Sequence, residues 1–379
     1  MTSHDKHFIV LGAGVVGLST AFELQKQFNN CTITIVAEAS TAETTSYGAG
    51  GLWEPYNVAG TPESKVNEWG LYSYQHFQEC ERQGIPGISS VRVYQLYHPL
   101  AEQEFNHSKP FWSEIVQDLH LITPQEKVEL KQQLGEHIEL ASTGCFTYVS
   151  IIADQTYYLK WLRDQLQTNG SVKFIDVPQK LHRLRDVMEV VPSTHKYDLV
   201  CNCSGLGSYF MHDIHDTQLN PVKGQVVRIK KPTTAEYKGH AYTYETENAL
   251  TYILPNHHTI VLGGTAEVGE FDMTVDPNVT ARILNNAAAL LPELLHMETV
   301  SAWCGRRPTR KPLRMEIEEH FTGLPCPVLH LYGHGGCGVT IGLGSAHDAV
   351  QNMVGPYFVK MEEKGTRMHT SGGGKRSKI

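Results

Sequence analysis

The stretch Phe8-Ile9-Val10-Leu11-Gly12-Ala13-Gly14-Val15-Val16-Gly17 decides the fold. Four apolar residues of strand character run into a Gly-x-Gly-x-x-Gly turn, after which helical spacing continues to about Phe28. A second strand from Thr32 to Val36 ends at Glu38, 24 residues beyond Gly14. Together these form one βαβ unit of dinucleotide-binding length. Each residue type has a physical reason to be there. Gly12 makes the tight turn, Gly14 lets a pyrophosphate approach the backbone, and Gly17 lets the helix pack close to the strand. Ala13, Val15 and Val16 complete the turn and the helix start, whose free N–H groups and dipole favour phosphate. Glu38 stands where an acid takes the ribose hydroxyls of an adenosine half. The motif by itself does not separate NAD from FAD.

Outward from this unit, composition narrows the class. The chain has 379 residues, 41% hydrophobic and 19% charged, enough for a large core and for two domains. Its net charge of −8 implies no basic surface for nucleic acid. Apolar runs such as Phe8 to Gly12 fall far short of the roughly 18 to 20 residues of a membrane span. The polar Met1 to His7 leads straight into a strand, so no secretion signal is expected. Eight cysteines lack paired CxxC spacing, which predicts reduced thiols and no zinc site, and the histidines show no ligand spacing.

Along the chain, helices are predicted from Pro62-Glu63 to about Cys80, over Gln155 to Gln167, from Pro277 to about Leu291 with Asp276 as cap, and from the last glycine turn to about Val354. Strand patterns cover Val91 to Tyr97, Val172 to Ile175, Leu199 to Cys203 and Val328 to Tyr332. Ser204-Gly205-Leu206-Gly207 lets backbone pass close to a ligand. Gly224 to Gly264, rich in Val, Ile, Thr and Tyr, predicts several antiparallel strands with turns at Lys230 to Thr234 and Asn256 to His258. The fold class is therefore α/β, a Rossmann-like dinucleotide domain with a second, mainly antiparallel-sheet domain.

Three further motifs occur in order: Gly50-Gly51-Leu52-Trp53-Glu54-Pro55-Tyr56, then Gly305-Arg306-Arg307-Pro308-Thr309-Arg310, then Leu329 to Gly338 with its His334-Gly335-x-x-Gly338 signature followed by Gly344 and Ala346. With them the chain resembles the D-amino-acid oxidase family, D-aspartate oxidases included, over nearly all of residues 8 to 354. The resemblance implies FAD as cofactor and a domain division, discontinuous in sequence, of 1–48, 150–210 and 303–356 for FAD and 49–149 and 211–302 for substrate; 357–379, polar and glycine-rich, is expected from its composition to be a flexible tail. It also implies that Thr45, Ser46, Ala49, Gly50, Gly51 and Leu52 line the pyrophosphate, ribityl and flavin, that Ser204 and Gly205 pass beside the cofactor, and that Gly335, Gly336, Cys337, Gly338, Val339 and Thr340 meet the flavin ahead of the last helix. Cys337 replaces a common family aromatic, so only its backbone is carried over.

By the same resemblance, Arg307 grips the substrate carboxylate, a task suited to the planar two-pronged guanidinium. Tyr252 assists with its hydroxyl, Gly336 offers its carbonyl to the amine, and Tyr242 or Tyr244 supplies a second tyrosine on a lid. Hydride then passes from the α-carbon to flavin N5 without a protein base, and the imino acid hydrolyses to a 2-oxo acid and ammonia while oxygen yields hydrogen peroxide.

The substrate side chain is less determined. Glu54 replaces a common glutamine, and an anion there disfavours acidic substrates if it points inward. Tyr56 stands where D-aspartate oxidases usually carry a histidine, and Arg306 and the Lys223 to Lys231 stretch are unplaced alternatives for a second cation. A neutral or basic D-amino acid is preferred, with D-aspartate as rival; an NAD-dependent dehydrogenase or an inactive flavin-binding protein are the remaining alternatives. The terminal Ser377-Lys378-Ile379 differs slightly from the Ser-Lys-Leu peroxisomal address, which predicts an import receptor as partner and a peroxisomal, otherwise cytoplasmic, location. Oxygen and a small D-amino acid complete the expected partners, with neither nucleic acid nor membrane; a homodimer is compatible with this reading.

Overall fold

The strand β1 (Lys6–Leu11) is apolar on both faces because it lies inside the sheet with packing on each side. Phe8 and Val10 belong to one core with Leu18, Trp69 and Ile341, whereas Ile9 and Leu11 belong to another with Val36, Val200 and Val328. The computed structural model describes residues 5–38, 41–58, 60–101, 109–193, 195–232 and 239–371.

After β1 come helix α1 (Val15–Gln27) and strand β2 (Cys31–Ala37), then α2 (Glu63–Arg82), β3 (Ile88–Tyr97) and β4 (Gln117–Leu121). Next are α3 (Pro124–Leu134), β5 (Phe146–Ala153), α4 (Gln155–Gln167), β6 (Val172–Asp176), the short α5 (Val187–Val190), β7 (Leu199–Asn202) and the short α6 (Gly207–Phe210). The second half holds β8 (Asn220–Lys230), β9 (Ala241–Glu245), β10 (Leu250–Pro255), β11 (Thr259–Gly263), β12 (Glu267–Val268) and α7 (Pro277–Leu290). It closes with β13 (Thr299–Glu318), β14 (Val328–His334), α8 (Gly338–Ala349) and α9 (Gly355–Ser371).

All the strands join in one sheet of order β4-β5-β3-β9-β10-β11-β8-β13-β14-β7-β1-β2-β6, with β12 paired to β8. From β14 to β6 the pairings are parallel; from β13 back to β9 they are antiparallel. The strand β13 connects the two halves. Its first half pairs with β8 up to Thr309 opposite Asn220, and its second half pairs with β14 from Arg314 onward, with a register irregularity between. The antiparallel half has its own core, where Leu96, Ile253 and Leu262 meet Ile283 and Leu290 of α7.

Local caps agree with the sequence. Asp154 accepts from Thr156 N–H at 3.0 Å to start α4, and Asp276 accepts from Asn278 N–H at 2.7 Å to start α7. The C-terminal region departs from it. Instead of ending at Val354, the chain passes through a wider turn at Val350–Val354 into α9. Pro356 stands in the first turn of α9, where its missing N–H is tolerated. Phe358 then packs on Phe8 and Phe28, with ring centroids 6.0 and 5.9 Å away, so this part of the expected tail is an ordered helix. Ser377-Lys378-Ile379 lies outside the described residues. Among the described residues all eight cysteines are free and buried, no group of residues could hold a metal ion, and no helix is long and apolar enough to cross a membrane.

Candidate active site

A cavity of about 1030 Å³ opens at the carboxyl ends of the parallel strands, where open α/β sheets bind ligands, and continues under the antiparallel half. Its first end is the glycine turn. Gly12 has φ +112° and a Cβ there would stand 2.5 Å from the Cys203 carbonyl oxygen; a Cβ on Gly17 would stand 2.0 Å from the Gly12 oxygen. The turn is therefore closed around glycine, and α1 begins directly against β1 and β7. Val15 N–H donates to Ser46 Oγ at 3.0 Å, which ties the helix start to the Thr44–Ser46 segment. Glu38 lines the cavity beyond, and its Oε1 accepts from Leu181 N–H at 2.7 Å.

Of the residues expected to hold a cofactor, Gly12, Ala13, Gly14, Val15, Val16, Glu38, Thr45, Ser46, Ala49, Gly50, Gly51, Leu52, Ser204, Gly205, Gly335, Gly336, Gly338, Val339 and Thr340 all line this cavity. Gly17 and Cys337 do not: Gly17 packs against Gly12, and Cys337 is buried at the start of α8. The loop Gly335 to Cys337 feeds the first turn of α8, whose N–H groups have no intrahelical partners and carry the positive end of the helix dipole. A long cavity with helix N-termini at two places, small residues between them and a carboxylate at one end fits a dinucleotide with a flavin.

At the other end stand Arg307 and Tyr252, both half-buried. Arg307 lies opposite Val222 in the β13–β8 ladder, just before the register irregularity, and its Nη1 donates to the Thr265 carbonyl at 3.1 Å. Its guanidinium carbon is 6.0 Å from the centre of the Tyr56 ring. Tyr252 packs beneath Gly263 and Gly264, where a Cβ would come within 2.1 and 2.4 Å of its ring. Burial pushes the Tyr252 hydroxyl up from its ordinary pKa, while the Arg307 charge pulls it down. Gly336 faces Tyr56, whose backbone oxygen would lie 3.0 Å from an added Cβ.

Arg282 of α7 also lines the cavity, and five other basic residues nearby are committed elsewhere. Arg310 Nε pairs with Asp216 at 2.7 Å, Arg306 donates to the Phe271 carbonyl at 3.3 Å, and Lys223 pairs with Asp272 at 3.4 Å. Lys230 meets Glu298 at 3.7 Å, and Lys231 donates to the Asn256 carbonyl at 3.0 Å.

One expectation is overturned. Neither Tyr242 nor Tyr244 reaches the cavity: Tyr242 is buried in the antiparallel core, stacked on Tyr94 at 5.4 Å, and the Tyr244 hydroxyl donates to the Glu139 carbonyl at 2.9 Å. Side chains alternate along β9, so Thr243 and Glu245 face inward instead. Thr243 Oγ1 donates to Gln95 Oε1, and Asn248, Ala249 and Leu250 follow along the rim. The sequence reading missed Gln95, Thr243 and Glu245; the cross-strand pairing of Thr243 with Tyr252 is the signal that places them.

Glu54 does point inward. Burial pushes its carboxyl up to about 7, the neighbouring Tyr148 hydroxyl opposes that rise, and the Glu245 charge adds to it. A carboxyl raised from 4.5 to about 7 by folding lowers stability as the pH climbs through that interval, with the full penalty above 7. Glu54→Gln is therefore expected to raise the melting temperature relative to the parent at pH 8 and to leave it unchanged at pH 4. An equal shift at both pH values in calorimetry would refute the assignment.

Comparison with known proteins adds the chemistry. The FAD dependent oxidoreductase family (DAO) matches residues 7–352. A D-amino-acid oxidase of Rubrobacter xylanophilus is 30% identical, covering 90% of this chain and 94% of its own. A D-aspartate oxidase of Homo sapiens is 29% identical, covering 90% and 93%. Among solved structures, a glycine oxidase of Geobacillus kaustophilus superposes with a TM-score of 0.68 at 19% identity, covering 92% of this chain and 94% of that one.

Proposed function

The chain belongs to the DAO family of FAD-dependent oxidoreductases, and from that membership we propose that it oxidatively deaminates D-amino acids to 2-oxo acids, with release of ammonia and hydrogen peroxide. The observation that carries this reading is the single cavity joining the glycine turn to Arg307 and Tyr252. Bound FAD supplies the acceptor for a hydride from the substrate α-carbon and passes the electrons to oxygen.

The chain's own contribution is binding and orientation. Arg307 takes the substrate carboxylate through two charge-assisted hydrogen bonds, with the Tyr252 hydroxyl beside it. Gly336 accepts from the amine with its carbonyl. With these two groups of the α-carbon fixed, only one enantiomer turns its hydrogen towards the cofactor and its side chain away, and the walls of the cavity limit water around it. The free N–H groups at the start of α8 favour negative charge on the reduced cofactor. We divide the chain accordingly, with 1–48, 150–210 and 303–356 serving FAD and 49–149 and 211–302 serving substrate.

D-aspartate oxidation is the second reading, favoured by the human relative. The engagement of Arg310, Lys223, Lys230 and Lys231 elsewhere counts against it. The terminal Ser377-Lys378-Ile379 supports recognition by a peroxisomal import receptor, which suits an enzyme that makes peroxide.

The test is peroxide release by the purified yellow protein with D-alanine, D-arginine, D-aspartate and D-glutamate beside their L-enantiomers. Turnover confined to D-substrates is expected. Turnover of L-enantiomers alone, or of none, rejects the proposal.

A further inference from the structure

We propose that the segment 265–276, between β11 and α7, is a strap that retains the bound FAD, with the ring of Phe271 as its latch.

Both ends of the segment are tied to one residue of β8. Thr265 Oγ1 accepts from the Gln225 N–H at 2.8 Å. The buried Gln225 side chain donates to the Asp276 carbonyl at 2.9 Å and accepts from the Asp276 N–H at 2.9 Å. Ends drawn together in this way make a closed surface loop. Its first part stays on the sheet, where Glu267 and Val268 pair with Lys223 and Val222 and the Gly269 N–H donates to the Pro221 carbonyl at 2.8 Å. Beyond Gly269 the chain leaves the ladder and reaches α6.

The contacts that hold this outer part are unequal. The ion pair of Lys223 with Asp272 at 3.4 Å has an exposed carboxylate, and such pairs contribute little. Arg306 donates to the Phe271 carbonyl at 3.3 Å, and the Cys304 thiol to the Thr274 carbonyl at 3.5 Å. The apolar contact comes from the Phe271 ring, which is only 36% exposed on a strap whose Val268 is 72% exposed. Its centroid stands 5.3 Å from that of Tyr209 and 5.8 Å from that of Phe210, the latter edge to face.

Phe210 carries the latch to the cofactor. With Met211 it lines the cavity, and Lys180 Nζ stands 4.0 Å from its ring centre. Lys180 lines the cavity too and acts on Glu38, the carboxylate of the adenosine end. Phe210 is thus packed between Lys180 and Phe271, and undocking Phe271 frees a wall of that end. A second link runs through Arg306, whose carbonyl accepts from Thr45 Oγ1 at 3.1 Å in the segment beside the glycine turn. The substrate end is separate. The Thr265 carbonyl that receives Arg307 lies at the tied end of the strap, behind Gln225. Retention is also reciprocal: a strap that holds the cofactor is steadied by the cofactor to the same degree.

The experiment follows FAD leaving the full-length holoenzyme by flavin fluorescence after dilution, with amide hydrogen exchange of 266–274 measured with and without FAD. Phe271→Ala is expected to speed dissociation about tenfold, the order of loss when most of a phenylalanine ring is uncovered. Phe271→Tyr keeps the ring and should restore the parent rate to within about twofold. Val268→Ser, on the same strap but not docked, should leave the rate unchanged. Exchange of 266–274 should be slower with FAD than without it in the parent, and this protection should shrink in Phe271→Ala. A parent-like dissociation rate in Phe271→Ala overturns the proposal, as does equal exchange with and without FAD in the parent. Equal acceleration by Val268→Ser removes Phe271 as the latch, and so does an apoprotein of Phe271→Ala that melts well below the parent, since global destabilisation then accounts for the loss. These readouts do not depend on which substrate the enzyme oxidises.

Discussion

Replacing Arg307 with leucine is expected to lower kcat/KM for D-amino acids by about 10³-fold while the protein keeps its yellow cofactor. The size follows from what the side chain would hold. Removing one partner of a desolvated, hydrogen-bonded charge pair costs about 2 to 5 kcal/mol, and here the orphaned partner would be the substrate carboxylate. The guanidinium is fixed before substrate arrives. It lies across Gly224, where a Cβ would come within 2.4 Å of Nη1, and it donates to Thr265 at 3.1 Å beside the Tyr56 ring. Leucine leaves a substrate that is both weakly bound and free to rotate, so kcat falls along with the rise in KM. Arg307→Lys restores charge without the fork and should recover only part of the loss. Steady-state kinetics with the flavin absorbance as a folding control checks this; a leucine variant within threefold of the parent would remove Arg307 from the site.

How much of this was legible in the sequence depends on where the determining contacts lie. The parallel half was readable because β1, the glycine turn, α1 and β2 are contiguous and their residue types have local physical causes. The strand β13 was not read, although it is the longest in the sheet. Its segment Gly305 to Pro312 carries four basic residues and two prolines, a composition that locally argues for a loop, and it becomes a strand through pairing with β8, distant in sequence, and with β14, the next strand along the chain. Arg307 could therefore be named from its motif but not set in an element. The tyrosines of β9 failed for a related reason. Two aromatic residues look like a lid, yet strand alternation assigns Tyr242 and Tyr244 to the core face and Thr243 and Glu245 to the cavity. A one-residue difference in face, invisible without the partner strand, thus turns an aromatic wall into an acidic one. Helix α9 depends on Phe358 meeting Phe8 and Phe28, again a contact between distant segments.

Gly14→Val should give a folded but colourless protein, with FAD affinity reduced by at least about a hundredfold. The argument rests on the difference between two glycines of one turn. Gly14 has φ −79° and ψ −179°, ordinary extended backbone, and an added Cβ would crowd Ser46 Oγ, at 3.1 Å, and make ordinary contact with Thr44 Cβ at 3.9 Å. The chain can accept a side chain there with a small adjustment of that hydroxyl. What the side chain occupies is the space above the start of α1, where a pyrophosphate would meet the N–H groups of the first turn. Charge-assisted hydrogen bonds of this kind contribute about 1.5 to 3 kcal/mol each, so losing even two exceeds a hundredfold in affinity. Gly17→Ala behaves differently, because its Cβ would stand 2.0 Å from the Gly12 oxygen and can be relieved only by moving α1 off β1. That variant should lose about 1 to 3 kcal/mol of stability and show a lower melting temperature even without cofactor. Measuring flavin content, FAD affinity by fluorescence and apoprotein melting on both variants separates the two effects. Retention of FAD within threefold in the Gly14 variant would mean that the phosphates lie elsewhere in the cavity, and the assignment of α1 as the anion-binding helix would fall with it.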